Sequence, residues 1–99
     1  MLKKDLYSYR NKILEICEAE DIKKLILFGS TAREESNLIS DIDFLVEFKV
    51  NKSLFKIIAL KHTLEDLLQN NVDLITPDAL SPYFKNDVLR EGEVFYEAY

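Results

Sequence analysis

The stretch Asp41-Ile42-Asp43-Phe44-Leu45-Val46-Glu47-Phe48 constrains the fold more than any other, because an apolar side chain occupies every second position. Successive side chains of a β-strand point to opposite faces, so Ile42, Phe44, Val46 and Phe48 predict one apolar face, and Asp41 and Asp43 share the other. Two further strands follow from short apolar runs. Leu25-Ile26-Leu27-Phe28 is closed by Gly29, and Val72-Asp73-Leu74-Ile75-Thr76 stops at Pro77.

Between the strands the apolar spacing changes to that of helices. Leu6, Tyr9, Ile13, Ile16 and Cys17 recur at helical intervals and predict one amphipathic helix over about 4–20. Leu54, Ile57, Ile58, Leu60, Leu64, Leu67 and Leu68 predict a second over about 53–69, with Ser53 as its N-cap. Ser81-Pro82 places a cap before a proline at the first helical position and predicts a third, running to Arg90 and ending at Gly92. Val94-Phe95-Tyr96 reads as an edge strand or a docking turn. The expectation is an α+β chain of alternating helices and strands.

Ninety-nine residues can bury one modest core, so a single domain over 1–99 is expected. No apolar run has the length of a membrane span, and Met1-Leu2-Lys3-Lys4-Asp5-Leu6 lacks the features of a secretory signal, which predicts a cytoplasmic protein. Cys17, the sole cysteine, falls on the apolar stripe of the first helix and reads as a small core residue. The formal net charge of -5 repels phosphate backbones, so a nucleic-acid partner is disfavoured.

Three features carry chemistry in combination: Gly29-Ser30 after the first strand, Asp41 and Asp43 at the start of the second, and Asp73 in the third. Gly29 leaves the backbone free to approach a phosphate, and Ser30 opens a short helical stretch, Thr31-Ala32-Arg33-Glu34, whose N–H groups and hydroxyl can hold phosphate oxygens. Arg33 adds positive charge there. Carboxylates on neighbouring strands are hard oxygen donors for magnesium, and two aspartates one residue apart can serve a metal pair about 3.5–4 Å apart. Phosphoryl chemistry on a nucleoside triphosphate needs such a set.

Gly29-Ser30, ten intervening residues and then Asp41-Ile42-Asp43, with Ala32-Arg33 and Ser40 between, resembles the signature of the minimal nucleotidyltransferases of the polymerase-β superfamily. The later Val72-Asp73-Leu74 and the ending Val88-Leu89-Arg90-Glu91-Gly92-Glu93-Val94-Phe95-Tyr96-Glu97 are also similar to that family, so the likeness covers most of the chain. It implies a small mixed sheet backed by helices. It also implies ATP and two magnesium ions over Gly29, Ser30, Asp41, Asp43 and Asp73, with Arg33 on the nucleotide. Members of the family often act as antitoxins beside a HEPN-domain ribonuclease toxin, some by transferring AMP to its tyrosines. The resemblance therefore implies a HEPN protein partner and a hetero-oligomer.

One departure from the family pattern stands out: glycine usually follows the motif's arginine, whereas Glu34 and Glu35 stand here. In the first turn of a helix these acids would suit the macrodipole but repel a triphosphate. A chain weakened in this way could still act as a binding module that neutralises its partner by occlusion. Of the remaining polar residues, His62 among charged neighbours in the long helix reads as a surface residue. Tyr7, Tyr9, Tyr83, Tyr96 and Tyr99 read as core edges or interface anchors.

Overall fold

The computed structural model describes residues 1–34 and 40–98, the side chains of 83, 84, 87 and 89 excepted. Four strands, β1 (Ile22–Phe28), β2 (Ile42–Phe48), β3 (Val72–Ile75) and β4 (Glu93–Glu97), form one sheet in the order β3-β2-β1-β4. β1 pairs antiparallel with β2 and with β4, and β2 pairs parallel with β3. The sheet is therefore mixed, as the family resemblance implies. Parallel neighbours need a crossover connection, and the helix α4 (Leu54–Leu68) supplies it between β2 and β3.

The alternation in β2 is borne out. Ile42, Phe44 and Val46 are fully buried, and Phe48 packs at the edge of the same cluster. That cluster joins one face of the sheet to Leu6 of α1 (Lys3–Tyr7), Ile13 and Cys17 of α2 (Arg10–Ala19), and Leu60, Leu64 and Leu68 of α4. Phe95 of β4 lies 5.7 Å from Phe44 and 5.0 Å from Tyr7, ring centre to ring centre, and so ties the last strand to the first helix. A smaller cluster, Ile26, Leu45 and Val88, brings α5 (Pro82–Glu91) to the sheet. Cys17 is a buried core residue, as expected.

Several boundaries differ from the sequence expectation. The first helix is two, α1 and α2, interrupted at Ser8 and Tyr9, where the Ser8 hydroxyl donates to the Asp5 carbonyl. Such local side-chain bonding competes with the helical ladder, and apolar spacing does not register it. β1 begins three residues earlier than the apolar run, because Lys24 pairs across the sheet with both Glu47 and Glu97. Pro77–Ala79 form a single 3-10 turn after β3, and Val94-Phe95-Tyr96 belong to an edge strand, which decides between the two readings of that segment.

Ser53 is the N-cap of α4, its Oγ accepting from the Lys56 N–H at 3.3 Å. Ser53→Ala is expected to cost about 1 kcal/mol through loss of this cap, measurable as a lower urea midpoint at unchanged slope. The core stripe of α4 begins only at Leu60. Leu54 and Ile58, counted above on its apolar face, are exposed, as is Phe55. No described helix is long and apolar enough to cross a membrane.

Candidate active site

β1 ends at Phe28, and the chain turns at Gly29 into a single helical turn, α3 (Gly29–Ala32). Phe28 is the cap residue and offers no side-chain bond, so Ser30 lies inside the first turn instead of opening it. Gly29 has φ 74, a left-handed conformation that glycine adopts without steric cost. A second reason for glycine concerns a neighbour: a Cβ at this position would run into Asp43 Oδ2 and lie 3.2 Å from Asp43 Cγ. The Asp43 carboxylate rests directly against the bare backbone of the turn.

Register explains why. Asp43 pairs with Phe28 of β1 on one side and with Asp73 of β3 on the other, so the end of β1 and both carboxylates share one level of the sheet. Asp43 is half-buried, while Asp73, on the edge strand β3, is exposed. Asp41 is exposed and lies just before β2 instead of within it.

Burial pushes the Asp43 carboxyl up to about 6, helped by the charge of Asp73, a hydrogen bond with the Asp73 side chain and the charge of Asp41; Arg33 opposes the rise. Three of the charged groups singled out in the sequence, Asp73, Asp41 and Arg33, thus act on the fourth, Asp43. A carboxyl raised by like charges is a group that a cation would relieve, and oxygen donors of this kind suit magnesium. Among the described residues, no group of three His, Cys, Asp or Glu side chains stands close enough to hold a metal ion by itself. The donor set fits metals that take the rest of their ligands from phosphate oxygens.

Arg33 is the C-cap of α3, and its Nη1 lies 3.4 Å from Glu91 Oε2 at the end of α5. Glu34 does not occupy a first helical turn. It follows the C-cap with φ 59, left-handed, which is the position where helices favour glycine. The repulsion expected from Glu34 at the helix start is therefore displaced to the far end of α3, and Glu35 lies outside the described residues.

The N-terminal residues also reach this region, which apolar spacing did not signal. Lys3 Nζ donates to the Ala32 carbonyl at 3.3 Å and pairs with Glu93 at 3.0 Å, and the Met1 amino group donates to the Ser40 carbonyl at 3.3 Å. The same Glu93 carboxylate accepts from the Tyr7 hydroxyl at 2.7 Å. Burial and this hydrogen bond raise the Tyr7 phenol to about 12, so it is a structural tyrosine. His62, paired with Glu65 at 3.4 Å, is a surface residue as expected.

The family model "Polymerase beta, Nucleotidyltransferase" matches residues 11–98. A Methanocaldococcus jannaschii protein provisionally named a protein adenylyltransferase is 40% identical over 83 residues, covering 84% of this chain and 89% of its own length. The protein adenylyltransferase MntA of Thermococcus cleftensis is 39% identical over 77 residues, 78% of either chain. A solved structure provisionally described as a minimal nucleotidyltransferase superposes with TM-score 0.82 at 34% identity, covering 94% of this chain and 95% of its own. At 21% identity, where the likeness concerns the fold alone, a chain from the complex of tri-AMPylated Shewanella oneidensis HEPN toxin with MNT antitoxin superposes with TM-score 0.72, covering 93% of this chain and 72% of its own. With most of its length matched by one family model and by relatives of this similarity, the chain belongs to the polymerase-β nucleotidyltransferases.

Proposed function

We propose that this protein is a protein adenylyltransferase that transfers AMP from ATP to a hydroxyl, a tyrosine by preference, of a partner HEPN ribonuclease toxin in the cytoplasm. The observation that carries the reading is the sheet register that sets Asp43 beside Asp73 and against the Gly29 turn. The names of the similar adenylyltransferases and the AMPylated toxin complex support the choice of AMP and of a HEPN partner.

In this reading the triphosphate lies over Gly29 and Ser30, where the helical turn offers N–H donors and the bare backbone of Gly29 lets the Asp43 carboxylate stand close beside it. Arg33 contributes charge to the nucleotide. Asp41, Asp43 and Asp73 would hold two magnesium ions, which when bound supply charge neutralisation at the phosphates. Asp73 sits on the open edge of the sheet, where an acceptor can approach. It takes the proton of the acceptor hydroxyl as that oxygen bonds to the α-phosphorus and the bond to the pyrophosphate oxygen breaks. Enzyme and acceptor form a hetero-oligomer, at least during transfer.

The test is transfer of label from α-labelled ATP with magnesium to the purified HEPN protein, comparing this chain with its Asp41→Ala/Asp43→Ala variant. Label on a tyrosine of the partner that disappears in the variant is the expected result. Tight binding without label would instead identify a module that neutralises by occlusion.

A further inference from the structure

The first turns of α4 present an apolar surface that the fold leaves uncovered. Phe55 is 86% exposed, Leu54 70%, Val50 56% and Ile58 41%, four large apolar side chains within nine residues. Single exposed apolar residues are ordinary, but a contiguous group of this size marks an interaction site. Val50 and Ile57 also line a groove of about 400 Å³ whose other walls are mixed, with Phe48 and Pro77 beside Glu47, Lys52 and Asp78.

Charge says what kind of molecule. Residues 49–58 contain Lys49, Lys52 and Lys56 and no acid, a local +3 in a chain of net -5, leaving the other residues at -8. Lys52 is neutralised by Asp21 at 3.0 Å, whereas Lys49 and Lys56 have no ion pair among the described residues. A two-fold dimer through this ridge would bring the lysines of both copies together, which is unfavourable. A contact between the ridge and the acidic remainder of another copy would not close and would propagate instead.

We infer that the ridge of Val50, Leu54, Phe55 and Ile58 is the docking surface for the acceptor protein, which meets it with an apolar helix or strand face bordered by carboxylates opposite Lys49 and Lys56. The inference rests on the proposed transfer to a protein acceptor. β2 runs from Asp43 at the site to Phe48 beside the ridge, so the docking surface lies at the opposite end of the sheet, roughly 17 Å away at about 3.3 Å per residue. Holding the acceptor and modifying it are thus separate tasks on separate surfaces.

The experiment measures binding of the full chain to its purified HEPN protein by calorimetry, with sedimentation of the chain alone. Leu54→Ser/Phe55→Ser is expected to weaken binding at least 100-fold with an unchanged melting temperature, since both side chains are exposed. Lys49→Glu/Lys56→Glu is expected to weaken it about 10-fold and to flatten its salt dependence. Asp43→Asn is expected to bind as the wild type does. Full affinity in the ridge variants, absence of wild-type binding, or a dimer of the chain alone that the ridge variants dissociate would each overturn the inference. Ridge-dependent binding without AMP transfer would leave the docking surface standing and remove the adenylyltransferase reading.

Discussion

Asp43→Asn is expected to abolish nucleotidyl transfer and at the same time to stabilise the free protein. If Asp43 holds the metals as proposed, loss of its carboxylate should cost on the order of 10³-fold in rate, equivalent to about 4 kcal/mol of transition-state stabilisation. The stability effect has the opposite sign. Asp43 is held up to about 6, first by burial, then by Asp73 and Asp41, against an ordinary value of 3.8. A group raised in the folded state is comfortable while protonated, below its unfolded value, and becomes a liability as pH rises through its folded value. At pH 7.5 the carboxylate is ionised and repelled, and the neutral amide removes that repulsion. Allowing for solvent screening at a half-buried site, the gain is roughly 1 kcal/mol, or about 4–8 °C in a domain of this size. Thermal melts in chelator should show the variant above the wild type at pH 7.5 and level with it at pH 4. Superimposable melts at both values would mean that the three aspartates do not repel one another as the fold suggests.

Gly29→Ala is expected to lower stability by about 2–4 kcal/mol and to remove transfer with it. Two costs combine: a left-handed backbone at φ 74 that alanine resists, and a Cβ driven into the Asp43 carboxylate. A double-mutant cycle separates them. In an Asp43→Ala background the clash disappears and only the backbone strain remains, so the penalty of Gly29→Ala should fall to about 1–2 kcal/mol. An undiminished penalty in that background would show that the glycine does not serve the carboxylate. In that case its role would be confined to the turn.

What the sequence made legible was what repeats or alternates. The period of two in Ile42–Phe48 revealed the buried face of β2 and left Asp43 off it, although Asp41 falls just outside the strand, and Ser53 marked the start of α4. Properties set by contacts between distant segments were not legible. Lys24 joins β1 because Glu47 and Glu97 lie opposite, and Lys3 reaches the carbonyl of Ala32 across 29 positions. Leu54 and Ile58 fit the helical spacing as well as Leu60 does, and only the extent of the sheet beneath α4 decides which of them is covered. The place of Glu34 was misread for a related reason. The motif located its arginine, but only the backbone shows that α3 has ended there and that the next residue must turn left-handed.

The parallel pairing of Asp43 with Asp73 makes the fold a proofreader of its proposed active site. A slip of β3 by one residue against β2 would drive the Asp73 carboxylate toward the interior that Val72 now fills and push Val72 into water. Burying an unpaired charge and exposing a core residue are both heavily penalised, so a chain that settles into its stable register also sets its two carboxylates side by side. Changes on the outer surface of the molecule can therefore accumulate without disturbing the site, as long as α4 and its flanking turns return the chain to β3 in phase.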